Sequence, residues 1–204
     1  MPRSEPGPGW SAEHHGIDPA ALPLLGPWLR FIDVLATPLV RLRVPPDALT
    51  ATGVVAALAV PLLAEGGWLA PAALAVVVSV VLDGLDGAVA MRAGRVSGYG
   101  RALDSWSDRV SELAWWVALV AAAGVPLWQA LVFGLLGLAM ETWRAATGRY
   151  GVLTVWERPS RAVLTVVGLV AATFGAVSFT GAATGWVGVA LAVVGAAQLA
   201  RHPR

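Results

Sequence analysis

The chain has 204 residues, 57% of them apolar and 13% charged, with a mean hydropathy of +0.69, a balance that excludes an ordinary water-soluble domain. It contains no cysteine, which excludes disulfides, thiolate nucleophiles, cysteine-ligated zinc and iron–sulfur clusters together. The histidines, His14, His15 and His202, lie in the terminal tails, so proton chemistry in the body falls to carboxylates, and the net charge of +1 becomes informative only once mapped.

Residues 1–17 are rich in proline, glycine and charge and contain no hydrophobic run, so they are expected to form a disordered tail ahead of one membrane domain, 18–204. From 18 to 44 the pattern mixes Trp28, Phe31 and Ile32 with Arg30, Asp33, Arg41 and Arg43. This predicts an amphipathic helix lying at the membrane interface, with a plain linker as the alternative. Apolar stretches then follow near 48–66, 68–90, 103–124, 126–147, 161–180 and 184–200. Each approaches the roughly 20 residues needed to cross about 30 Å of hydrocarbon. Their breaks carry turn residues: Glu65-Gly66-Gly67, Gly124-Val125-Pro126, and the polar, glycine-rich run from Ser178 to Gly185. By this reading Gly94-x3-Gly98 and Gly181-x3-Gly185 mark turns and not helix-pairing motifs. The fold class expected is an all-α integral membrane protein with six transmembrane helices preceded by an interfacial helix.

Every cation of this chain is arginine, and apart from Arg3 all fall on one side of the six-span arrangement. Arg30, Arg41 and Arg43 precede the first span, Arg92, Arg95 and Arg101 join the second to the third, and Arg109 lies just inside the third. Arg144, Arg149, Arg158 and Arg161 join the fourth to the fifth, and Arg201 and Arg204 close the chain. The positive-inside rule then makes both termini cytoplasmic in a multi-pass protein of the plasma membrane. Trp68, Trp128 and Trp186 are expected at the opposite headgroup level. Six buried helices of a soluble bundle would give arginine no reason to sort this way.

The second span ends in Asp83-Gly84-Leu85-Asp86-Gly87, and the third opens with Asp104-Ser105-Trp106-Ser107-Asp108, so four of thirteen acids sit in one hairpin. On helices, separations of three and four residues put each pair on one face, and a short loop makes the two helices antiparallel neighbours. An ionised aspartate at the centre of a membrane helix costs about 2.5–3.5 kcal/mol, so the set calls for compensating charge. Oxygen ligands without histidine or cysteine favour magnesium, manganese or calcium over zinc. Two such ions would leave positions open for phosphate oxygens. The bland alternative is that the aspartates cap helix ends in water. An EF-hand does not fit, because acids are missing at its third and fifth positions.

With its spacing, Asp83-x2-Asp86-Gly87-x2-Ala90-x9-Gly100-x3-Asp104-x3-Asp108 resembles the signature of the CDP-alcohol phosphotransferases, a membrane-enzyme family. The likeness extends to Pro46-Asp47-Ala48-Leu49-Thr50 at the start of the first span. The resemblance implies metal-dependent transfer of a substituted phosphate from a CDP-linked lipid donor, such as CDP-diacylglycerol, to an alcohol or polyol phosphate, with release of CMP, in phospholipid biosynthesis. It makes Asp83, Asp86, Asp104 and Asp108 ligands of a two-metal centre holding magnesium or manganese, and Asp108 the general base. It also puts Asp47, Thr50, Gly87 and Ser97 against the CDP part of the donor. A homodimer is implied, with Trp115 and Trp116 as candidates for packing on a second protomer; no nucleic acid is expected as a partner.

The chain departs from the family pattern at Met91, where the pattern has arginine. Arg92 or Arg95 then takes that role from another angle, the donor binds differently, or activity is weaker; a catalytically silent member that binds metal and nucleotide lipid is the alternative function. Prenyl transfer also uses magnesium pyrophosphate chemistry but would release pyrophosphate instead of CMP. For the acceptor, Arg144, Arg158 and Arg161 are the candidates; the segment Glu157-Arg158-Pro159-Ser160-Arg161 is similar to one in bacterial phosphatidylinositol phosphate synthases, although Glu141 and Trp143 stand where those enzymes carry basic residues. Arginine that only sets topology is the competing explanation.

Overall fold

The structure, a computed structural model, describes residues 25–148, 152–175 and 177–201. The expected tail at 1–17 lies outside the described residues, as do residues 18–24 of the expected interfacial helix. The described residues form seven α-helices: α1 (Leu25–Arg41), α2 (Pro46–Glu65), α3 (Leu69–Arg92), α4 (Gly98–Ala121), α5 (Leu127–Thr147), α6 (Arg158–Phe174) and α7 (Val177–Arg201). Of these, α2, α3 and α7 are long and apolar enough to cross a membrane.

Helix α1 buries one stripe, with Ile32 and Ala36 packed against Leu49 of α2 and Leu85 and Val89 of α3, while Phe31 and Val34 stay exposed. Gly84 makes this approach possible: a Cβ there would sit 3.1 Å from Ile32 Cδ1. At the start of α2, Pro45 and Pro46 end one helix and begin the next, where the missing N–H of Pro46 at the first helical position costs nothing.

The main core lies deeper, around Trp115, Leu119, Phe133, Trp156 and Leu169, all essentially inaccessible to solvent. Helix α2 leans on both α3 and α4, α3 also packs on α6, and α5 packs on α7. The expected α3–α4 hairpin therefore differs from a simple pair of neighbours. The two helices touch each other only over a short zone, and α2 supports both.

Two expectations are corrected. The break expected over Ser178–Gly185 is helical, because α7 begins at Val177 and the chain turns at extended Gly175 instead. The glycines there serve close packing: Gly181 lies against the backbone of Gly124, Gly185 against Gln129, and at Gly188 a Cβ would fall 2.7 Å from Phe133 Cδ1. Both threonines there bond within the helix, Thr184 Oγ1 donating to the Thr180 carbonyl at 2.8 Å and Thr180 Oγ1 to the Val177 carbonyl at 3.3 Å. In consequence Trp186 stands well inside α7 and not at its start, with its ring edge-on to Trp128 at 5.3 Å. The second correction concerns Trp115, which is fully buried and so offers no surface to a second protomer; Trp116 packs edge-on against Phe133 at 6.0 Å.

Candidate functional site

Helix α3 runs unbroken through Asp83, Gly84, Asp86 and Gly87 despite glycine's cost of roughly 1 kcal/mol per helical position. Helix α4 starts where Ser97 caps it, its hydroxyl oxygen accepting from the Gly100 N–H at 2.9 Å. These two ends bring Asp83, Asp104 and Asp108 together, with one carboxylate oxygen from each within 4.8 Å of the others. Asp86 stands outside that triad. It is buried and accepts a 2.5 Å hydrogen bond from Thr50 Oγ1 of α2. Asp47, in the first turn of α2, is exposed one turn before Thr50. At Gly87 a Cβ would meet nothing within 4 Å, so open space adjoins the backbone beside Asp86.

Helix α6 supplies the cations. Arg158 Nη1 pairs with Asp83 and lies 2.5 Å from Asp108 Oδ1, and its guanidinium stacks over the buried Trp115 ring at 5.7 Å. One turn further, Arg161 is buried between two carboxylates, 2.9 Å from Glu112 Oε1 and 2.6 Å from Glu141 Oε1. Arg144 of α5 forms a fork on Glu157, with Nη2 and Nη1 at 2.6 and 3.1 Å from its oxygens, and Thr154 donates to the same carboxylate. Arg92 behaves otherwise than its candidate role suggests: it pairs with Asp33 at 2.7 Å and donates to Thr37 Oγ1, tying α3 to α1. Its guanidinium is thus directed to the interfacial helix and not to the carboxylate triad.

Glu112 and the segment 152–157 are absent from the sequence-derived candidates. Glu112 had a legible signal, because Asp104, Asp108 and Glu112 recur every four residues on one face of α4. The segment had none. It inserts Trp156, whose Nε1 donates to the Phe133 carbonyl at 3.1 Å, and the Val155 N–H donates to Gln198 Oε1 at 2.8 Å, which places Glu157 and Arg158 at the head of α6.

The donor set fits a hard divalent cation. It offers only carboxylate oxygen, it converges from two helices, and Asp108 Oδ1 is buried without a hydrogen-bond partner beyond its ion pair. Adjoining it is a small recess lined by Thr50, Gly53, Val54, Ser79, Asp83, Ser107, Ser111 and Arg158. A guanidinium and a dication draw on the same oxygens of Asp83 and Asp108, so the two compete for them.

Residues 43–195 match the family model described as CDP-alcohol phosphatidyltransferase. Among relatives, the chain is 34% identical to a phosphatidylinositol phosphate synthase of Mycobacterium marinum over 68% of its own length and 64% of that protein's. It is 30% identical to the phosphatidylinositol phosphate synthase of Cutibacterium acnes, over 81% of this chain and 84% of the relative. The fold is that of the crystal structure of Mycobacterium tuberculosis phosphatidylinositol phosphate synthase (PgsA1) with CDP-DAG bound, at a TM-score of 0.69 and 24% identity, covering 84% of this chain and 92% of that one.

Proposed function

Since the chain belongs to the CDP-alcohol phosphatidyltransferase family, a family of membrane enzymes, we propose that it transfers a phosphatidyl group from a CDP-linked lipid such as CDP-diacylglycerol to an alcohol, releasing CMP. The observation that carries this reading is the convergence of Asp83, Asp104 and Asp108 from two helices within 4.8 Å.

In the proposed reaction the acceptor hydroxyl oxygen bonds to the phosphatidyl phosphorus. The bond from that phosphorus to the bridging oxygen breaks, and CMP leaves with the electron pair. The Asp108 carboxylate takes the hydroxyl proton. Asp83, Asp86, Asp104 and Asp108 would hold two divalent ions, magnesium or manganese, which when bound neutralise the diphosphate oxygens. Thr50 orients Asp86 through its 2.5 Å hydrogen bond and so keeps one carboxylate aimed at the donor end of the site. In this reading Asp47, Gly87 and Ser97 contact the CDP part of the donor, and the open space at Gly87 supports approach of a nucleotide to the backbone there. In this reading Arg144, Arg158 and Arg161 serve the acceptor, which the ion pair of Arg158 with Asp108 supports by bringing that arginine to the proposed base.

For the membrane, the reading is that α2 to α7 cross the bilayer, α1 lies on its cytoplasmic face, and residues 18–204 form one domain behind the tail at 1–17. The sorting of arginine supports cytoplasmic termini and a cytoplasmic active site in the plasma membrane. A homodimer remains part of the proposal through family resemblance.

The silent-member reading draws on Met91 and on the engagement of Arg92 with Asp33. One assay separates the two. Full-length protein in membranes is given CDP-diacylglycerol, magnesium or manganese, and a panel of alcohols, and CMP release is followed. The transferase reading expects release that chelation stops and that Asp108→Asn abolishes in protein that still inserts. Undiminished turnover in Asp108→Asn would remove the base, and no release with any acceptor would favour the silent member.

A further inference from the structure

We infer that Arg158 is a displaceable counter-ion of the carboxylate triad, held on Asp83 and Asp108 until divalent ions take those oxygens and release its guanidinium; the inference rests on the metal centre proposed above. Asp83, Asp104 and Asp108 offer oxygens within 4.8 Å of one another, and Arg158 Nη1 touches two of these three carboxylates, Asp108 at 2.5 Å. A dication bound to the same oxygens would stand beside that nitrogen with no anion between them. The charges point the same way. One arginine offsets one of the four aspartates assigned to the centre, whereas two dications offset all four. Arg158, whose side chain is 17% accessible, is then a surplus cation in a poorly solvated place, and its attraction to the site becomes repulsion.

The other two arginines at this end of the bundle are tied elsewhere. Arg144 is forked through two nitrogens on Glu157, and Arg161 lies between Glu112 and Glu141. None of these glutamates is assigned to the metal centre, so dications leave both arginines in place. Arg158 differs on two counts. Both of its ion partners are proposed metal ligands, and Asp108 Oδ1 receives no hydrogen bond, so that contact is charge without a directed bond. Letting go asks for a turn of one side chain only, since Arg158 opens α6 and its guanidinium already rests over the Trp115 ring at 5.7 Å. A ligand oxygen that Arg158 serves therefore finds it free only after the dications have bound, which puts metal ahead of the acceptor in the order of binding.

The test measures the affinity of purified full-length protein in detergent for Mn2+, from the spin-resonance signal of the free ion, with no lipid or acceptor present. An arginine that holds the oxygens about nine-tenths of the time weakens apparent affinity about tenfold, so Arg158→Gln should bind Mn2+ at least about tenfold more tightly than wild type. In chelator the same variant should melt below wild type, and at saturating Mn2+ the two should converge to within about 2 °C. Arg158→Lys keeps the charge on a shorter stem without a flat face for Trp115, and should bind Mn2+ more tightly than wild type as well. Equal or weaker binding by Arg158→Gln would mean that the arginine supports the ligands instead of occupying them, and overturns the inference. A lysine variant that matches wild type while the glutamine variant binds tightly leaves charge alone as the cause, and overturns the occupancy. A wild type and an Arg158→Gln variant that both bind no Mn2+ remove the metal centre and this inference with it. Absence of CMP release with every acceptor, by contrast, would fail the transferase reading while leaving these affinities readable.

Discussion

Replacing Arg161 with methionine tests whether the ion pairs of α6 hold the bundle together. The side chain of Arg161 is 6% accessible and that of Glu112 8%, so methionine leaves the Glu112 carboxylate buried without its cation. Removing one partner of a buried pair costs about 3–5 kcal/mol, mostly through the orphaned charge. Glu141, with 31% of its side chain accessible, turns to water and adds at most about 1 kcal/mol. At about 2–4 °C per kcal/mol for a chain of this size, Arg161→Met should lower the melting temperature in detergent by about 6–24 °C. The double variant Arg161→Met/Glu112→Leu removes the orphan as well, and should recover most of the loss because an apolar pair of similar volume is tolerated. The assay is thermal unfolding followed by tryptophan fluorescence on wild type, both single variants and the double. Arg161→Met melting within about 2 °C of wild type, or a double no more stable than Arg161→Met, would refute the reasoning, since either result denies that the buried charge needs its partner.

Thr50→Val removes the 2.5 Å hydrogen bond to Asp86 at nearly constant volume. A hydrogen bond to a charged group is worth about 1.5–3 kcal/mol, so kcat/KM for the CDP-linked donor should fall about 10–150-fold, while Thr50→Ser should keep most of it; equal loss in both would contradict an orienting role. Two glycine substitutions should separate packing from binding. Gly188→Leu pushes a side chain into Phe133, where a Cβ alone already lies at 2.7 Å, and should cost at least about 1–3 kcal/mol in thermal stability. Gly87→Ala meets nothing within 4 Å and should melt no lower than wild type while raising KM for the donor; an unchanged KM would take Gly87 out of the donor site.

The carboxylate triad was legible because the spacing of Asp83, Asp104 and Asp108 converts directly into helix faces. The existence and approximate bounds of α2, α3 and α5 followed from unbroken apolar runs between turn residues. The boundary between α6 and α7 was misread because glycine and threonine over Ser178–Gly185 look like a break in a local window. Their purpose is contact with Gly124 and Gln129, which lie more than fifty residues away in sequence. The same limit hid Trp156, an aromatic in a polar connection whose pocket is built by Phe133, Gly137 and Gly195.

By itself, then, the amino-acid order determined the acidic helix faces, the gathering of arginine in alternate breaks between apolar runs, and a body too apolar for water. These are properties of composition and of a 3.6-residue repeat, which any helix expresses wherever it is packed. Only the tertiary structure decided which cation meets which anion: Arg92 with Asp33, Arg161 with Glu112 and Glu141, Arg158 with Asp83 and Asp108. An ion pair between helices depends on how each is rotated and how far it is shifted against its neighbour. That is settled by the packing of glycines and large side chains across the whole bundle, and no local window contains it.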